Sequence, residues 1–167
     1  SGVPRRLFGL AVEGRRPLIA EVQALIAPTS APQPRRVTSG LDSARIAMML
    51  GVLERRAGVR LATADCFVAT VGGVRLSEPA TDMAVALAIA SSATDTALPS
   101  GLVAFGEIGL AGDVRPISSL ERRLAQEGAS IEQWRVLEVL SDEQGRSMGE
   151  LAQLVLMNHP ALTKLMD

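Results

Sequence analysis

Apolar positions in this chain recur with two different periods, and the switches between them mark out the elements. LFGLAVEG and PLIAEVQALIAP read as two strands about a turn at Gly14, and PRRVTSG as a third that ends before a helix. In LDSARIAMMLGVLERRAG the apolar residues Ile46, Met49, Leu50, Leu53 and Ala57 follow helical spacing. Asp42 or Ser43 can cap this helix, and Gly58 stops it. CFVATVGGVRL predicts a hairpin-like pair of short strands around Gly72-Gly73. Residues 79–93 predict a helix apolar on nearly every face, which belongs in an interior. GLVAFGEIGLAGDVRPI predicts two strands joined by an Ala-Gly-Asp turn. SSLERRLAQE then opens on a Ser118-x-x-Glu121 capping box. Strands and helices mix without regular βαβ alternation, so the expected fold class is α/β, in the form of an α+β sandwich.

From residue 130 the pattern turns purely helical. SIEQWRVLEVLSDEQ starts with Ser130-x-x-Gln133 and carries an apolar stripe of Ile131, Trp134, Leu137, Val139 and Leu140. SMGELAQLVLM starts with a second box, Ser147-x-x-Glu150, and NHPALTKLMD begins a third helix with Asn158 as its cap. Two helices, a turn and a third helix make a helix-turn-helix. Charge changes at the same place. Residues 1–127 hold 14 Arg against 12 acids, whereas residues 128–167 hold three basic residues against six acids. The expected domains are therefore 1–127 and 128–167.

Composition narrows the function classes. An apolar content of 47% argues against disorder, and no apolar run reaches the roughly 18 residues of a membrane span. The opening SGVPRRLFGL lacks the apolar core of a signal peptide, so a cytoplasmic location and no membrane partner are expected. Cys66, the single cysteine, excludes an internal disulfide and a cysteine-based zinc site, and reads as a buried strand residue. The net charge of −1 gives no bulk attraction to nucleic acid. Arginine is nevertheless clustered: Arg5-Arg6, Arg15-Arg16, Arg35-Arg36, Arg55-Arg56 and Arg122-Arg123 are pairs, and such side chains suit phosphate or carboxylate. A solvated, Arg-rich surface is the plainer reading of the same pairs.

Chemistry is conspicuous only where Ser77, Glu78, Thr81 and Asp82 gather at the start of the buried helix. Helix starts of this kind can carry a nucleophile or hold an anion. Yet Lys164 is the only lysine and His159 the only histidine, so a serine in residues 1–127 has no amine or imidazole base in its own unit. Activation of Thr81 or Ser77 by Asp82 or Glu78 would be a rare arrangement. The simpler reading makes Ser77 and Glu78 helix caps, Pro79 a first-turn residue and Asp82 a complement to the helix dipole. A P-loop needs a Gly-Lys-Ser/Thr ending, which is absent, and His159 reads as a solvated residue without metal-ligating partners. No cofactor, metal or small-molecule substrate is expected.

The blocks EGRRPLIAEVQALIAP, GLDSARIAMMLGVLERRAGVRL, FVATVGGVRLSEPATDMAVALAIASS and LVAFGEIGLAGDVRPISSLERRLAQ, in this order over residues 10–126, resemble the C-terminal, Lon-protease-like domain of the bacterial RadA family of DNA repair proteins. The resemblance implies the Lon proteolytic-domain fold (ribosomal protein S5 domain 2-like), a ring-forming homo-oligomer, and work on DNA in recombination. It also implies a zinc finger and an ATPase core upstream. Active Lon enzymes pair a serine at the start of the inner helix with a lysine one helix later. Laid on this chain, the serine position falls on Ala80 and the lysine position on Glu121, so both reacting groups are missing and no enzyme is expected. SIEQWRVLEVLSDEQGRSMGELAQLVLMNHPALTKLMD instead resembles the centre of a MarR-type transcription regulator, which implies a chimera, engineered or natural.

Two function classes follow. In the first, the chain is a non-catalytic Lon-like scaffold that assembles as an oligomer and contacts the DNA backbone through Arg55, Arg56, Arg60, Arg122 and Arg123. In the second, residues 130–167 read a DNA sequence as a regulator fragment; an artificial fusion without a selected function is the blander variant. The tail is acidic and stops before any wing, so Trp134, Leu137, Leu151 and Leu154 are expected to pack against the Lon-like unit instead.

Overall fold

The computed structural model describes residues 5–13, 16–98 and 103–115. β1 (Arg5–Glu13) and β2 (Arg16–Pro28) pair antiparallel from Arg5↔Ala24 to Glu13↔Arg16, the two strands expected about Gly14. β2 pairs antiparallel with β4 (Ala64–Thr70), from Val22↔Thr70 to Pro28↔Ala64. β3 (Arg36–Ser39) runs parallel to β4, and β5 (Val103–Ala104) parallel to β1, giving a five-stranded sheet in the order β3-β4-β2-β1-β5. A separate hairpin joins β6 (Glu107–Ile108) to β7 (Val114–Arg115).

α1 (Ser43–Ala57) has the ends its sequence predicts. The Asp42 side chain accepts a hydrogen bond from the Arg45 N–H at 3.0 Å, and Gly58 closes the helix in the left-handed conformation. Its buried side chains are Ile46, Met49, Leu50, Val52 and Leu53. α2 (Asp82–Thr94) lacks a polar face, and every residue from Asp82 to Ser91 is buried. Alternation then sorts the sheet: Ala20, Val22, Ala24, Cys66 and Val68 join α1 and α2 in one core, while the residues between them point the other way. The architecture is mixed α/β, as expected.

Two expectations need correction. The hairpin around Gly72-Gly73 does not form. β4 already has β2 on one side and β3 on the other, so no sheet edge is left for a returning strand. Instead Val71–Gly73 makes a 3-10 turn with both glycines at positive φ, and Leu76 bridges in parallel to Leu41. Gly40 permits this crossing: a Cβ there would lie 2.5 Å from the Val74 carbonyl oxygen and collide with Thr70 Oγ1. GLVAFGEIGLAGDVRPI supplies three short strands rather than two. Its first strand breaks at Phe105-Gly106, because β5 joins the main sheet while β6 turns away to pair with β7. The capping box at Ser118, the helices expected over 128–167 and the boundary near 127 lie outside the described residues.

Candidate functional site at the start of the buried helix

The chain enters α2 through one 3-10 turn, Pro79–Thr81, with Pro79 at its first position as expected. The capping does not follow the sequence expectation. Neither Ser77 nor Glu78 caps with its side chain; Ser77 is exposed, and the Glu78 backbone carbonyl accepts from the Thr81 N–H at 3.1 Å and the Thr81 hydroxyl at 2.8 Å. The Met83 N–H reaches the Gly106 carbonyl at 3.1 Å, while the Gly106 N–H donates to the Ala80 carbonyl at 2.9 Å. Backbone carbonyls thus satisfy the helix start, because the tight first turn aims its N–H groups at neighbouring main chain.

Ala80 sits inside this weave, 3% exposed. Its methyl offers no nucleophile. The adjacent Thr81 hydroxyl is buried and committed to Glu78. The carboxylate of Asp82 is likewise occupied: it accepts from Arg45 Nε at 2.6 Å, Arg45 Nη2 at 2.5 Å and the Ile108 N–H at 3.0 Å. Arg45 Nη2 also lies 3.7 Å from Glu107 Oε1. Burial pushes the Asp82 carboxyl above its ordinary range, more than Arg45 and the Ile108 N–H pull it down. Arg45 in turn is held above its ordinary value, chiefly by its hydrogen bond to Asp82. The cavity left between α1 and α2, lined by Leu41, Asp42, Arg45, Thr81, Asp82 and Val85, has a volume of about 10 Å³. That is about room for one water.

The Arg45–Asp82 pair is the grouping at this site that sequence reading missed. Its signal was present: a lone aspartate in the apolar run DMAVALAIA must find a partner when buried. Which of many arginines would answer was not legible. A second such grouping lies at β3, where Arg35 donates from its backbone N–H at 2.7 Å, from Nε at 3.0 Å and from Nη2 at 2.7 Å to Asp65, with its guanidinium 5.3 Å from the centre of the Phe67 ring. These bonds hold the Asp65 carboxyl below its usual range. Arg36 donates to the backbone carbonyls of Ala64 and Leu61. One arginine pair is therefore structural.

Arg55 and Arg56 are exposed on the last turn of α1, and Arg60 is exposed just beyond Gly58. Three of the five arginines proposed for DNA thus share one end of one helix, where their charge also complements the helix dipole. Arg122, Arg123 and Glu121 lie outside the described residues. Cys66 is buried, as expected, and burial pushes its thiol up to about 11. Among the described residues, no group of three His, Cys, Asp or Glu side chains could hold a metal ion, and no helix is long and apolar enough to cross a membrane.

A mixed α/β unit whose inner helix is entered through a turn holding a buried alanine is the class of structure these residues define. The chain carries a RadA-related region. It is 48% identical over 124 residues, 74% of its length, to DNA repair protein RadA of Mycolicibacterium smegmatis. It is also 47% identical over 115 residues to DNA repair protein RadA of Mycobacterium tuberculosis, and 46% identical over 114 residues to that of Escherichia coli. The match spans about a quarter of each relative: 26%, 24% and 25% of their lengths. No protein-family model matches the chain.

Proposed function

We propose that this chain serves DNA repair and recombination as a non-catalytic module of RadA type, with the Lon proteolytic-domain fold. It acts as a scaffold that assembles with further copies and contacts the DNA backbone. The observation that carries the reading is the likeness to proteins named DNA repair protein RadA over most of this chain. Ala80 supports its non-catalytic half, since the position where a Lon enzyme needs an attacking oxygen holds a buried methyl. Arg55, Arg56 and Arg60 support the DNA half, being three exposed guanidinium groups within six residues. Phosphates would be met by charge and hydrogen bonding without reading of base sequence.

Titrating labelled duplexes of two unrelated sequences with the full chain at rising salt tests this. Affinity that is equal for both sequences and falls steeply with salt supports the proposal. Binding confined to one sequence, or no binding at low salt, overturns the backbone-contact reading.

A further inference from the structure

Arg35 stands just before β3, and the bonds that tie it to β4 leave one surface of its side chain open. Its Nε and Nη2 donate to Asp65 at 3.0 and 2.7 Å, and its backbone N–H donates to the same carboxylate at 2.7 Å. The guanidinium thereby lies over the Phe67 ring, yet 70% of the side chain remains exposed. A guanidinium meets phosphate or carboxylate through its edge, in the plane of its N–H bonds, and meets flat π-systems through its face. Here Asp65 takes the Nε–Nη2 edge and Phe67 takes one face. What remains for a ligand is the outer face, held in place by its bonds instead of swinging on a flexible stem. Val37, in register with Phe67 and 49% exposed, adds an apolar shoulder beside it.

The surroundings choose among flat ligands. Residues 22–41 and 55–64 hold five arginines and no acid. The flanking acids, Glu54 and Asp65, accept from the Ala62 N–H and from Arg35. Arg36 donates to the Leu61 carbonyl at 2.9 Å and to that of Ala64, which joins β3 to the loop that carries Arg60. Exposed arginines therefore follow one another from Arg55 and Arg56 through Arg60 and Arg36 to Arg35. An aromatic side chain of a protein would need no such track, whereas a nucleobase arrives on a strand with a phosphate at every step. We propose that the outer face of the Arg35 guanidinium is a stacking seat for an unpaired base of single-stranded DNA, whose phosphates lie along Arg36 and Arg60. A base inside a duplex has both faces covered by its neighbours and does not fit this seat. The choice of DNA rests on the reading above; the stacked base goes beyond backbone contact.

A short deoxyadenylate strand and an abasic strand with the same number of phosphates, each titrated into the full chain, separate base from backbone. The abasic strand should bind about tenfold more weakly. Ring current from the stacked base should also move the Arg35 Nε–H signal upfield in NMR spectra, and the abasic strand should not. Arg35→Lys keeps the charge and gives up the plane, so it should weaken the deoxyadenylate strand about tenfold with the salt slope unchanged. The abasic comparison needs no variant and decides the matter even if Arg35→Lys fails to fold. Equal affinity for the abasic strand, an unmoved Arg35 signal at saturation, or wild-type binding by a folded Arg35→Lys overturns the proposal. If duplexes bind as proposed above while the abasic strand matches the intact one, only the stacked base fails. Base-dependent binding of the single strand without binding of duplex supports the stacked base and removes the duplex reading alone. Absence of binding by either form overturns both and leaves the Arg35 face to an aromatic side chain.

Discussion

Arg45 on α1 and Asp82 at the start of α2 stand 37 residues apart in the chain and meet in a two-pronged ion pair, Nε and Nη2 each on its own carboxylate oxygen. The same carboxylate accepts the Ile108 N–H, so one side chain ties both helices to the β6–β7 hairpin. The Asp82 side chain is 2% exposed and that of Arg45 27%. This asymmetry decides which half matters more. Arg45→Ala strands a buried carboxylate and should cost about 3 kcal/mol, the lower end for a broken buried pair. Asp82→Asn keeps an acceptor for Ile108 and leaves Arg45 near Glu107 and water, so its cost should be about 1–2 kcal/mol. Urea unfolding of both variants gives the order; Asp82→Asn as the more damaging change would contradict it.

Acid should act on the two buried carboxylates in opposite senses. Asp65 is held low by Arg35, so its stabilising share is complete above the unfolded value near pH ~3.9 and is lost as pH falls through its folded value. Asp82 is held high, so the folded protein binds its proton more tightly, and stability falls as pH rises from about 3.9 through the folded value. Asp65→Asn should therefore flatten the acid-side loss of stability, whereas Asp82→Asn should steepen it. Unfolding midpoints measured across the acid range, with the wild type alongside, check both signs.

Gly40 should be intolerant of any side chain. A methyl there meets Thr70 Oγ1 and the Val74 carbonyl, and the backbone sits at φ +75°. Gly40→Ala should cost at least about 2–3 kcal/mol, from overpacking together with left-handed strain. Gly51→Ala, on an exposed helix position with nothing near the added methyl, should be neutral or stabilising by up to about 1 kcal/mol. Thermal melts of the two variants should separate widely.

Placing a hydroxyl at position 80 should not by itself produce hydrolysis. Ala80→Ser puts an oxygen into a site 3% exposed, beside an aspartate already bonded to arginine and with no lysine among the described residues to take its proton. Stability should drop by about 1 kcal/mol unless the hydroxyl finds a carbonyl. No turnover of peptide or casein substrates should appear. Serine-dependent turnover in this variant would show that a base is within reach.

What could be read from the chain in advance depended on how local its cause was. The ends of α1 follow from Asp42 and Gly58, each acting within five residues, and the interior place of α2 from its lack of any polar face. The turn at Gly72-Gly73 misled because glycine pairs mark hairpins only when the strand before them has a free edge, and β4 has none. Asp82 stands in the first turn of α2, as a dipole complement should, but its ion pair was not legible because the partner arrives from another helix. At the candidate site, Ala80 lies in the 3-10 turn that leads into α2, and the seal around it is made of backbone hydrogen bonds, which carry no signature in sequence.

The salt dependence of duplex binding by the wild type and by Arg55→Ala/Arg56→Ala/Arg60→Ala bears most directly on the proposed role. If these three guanidinium groups neutralise phosphates, the slope of log affinity against log salt should lose about 2–3 of its magnitude, and both test sequences should weaken equally. An unchanged slope, in a variant with the wild-type melting temperature, would contradict the account and take the DNA contact away from this end of α1.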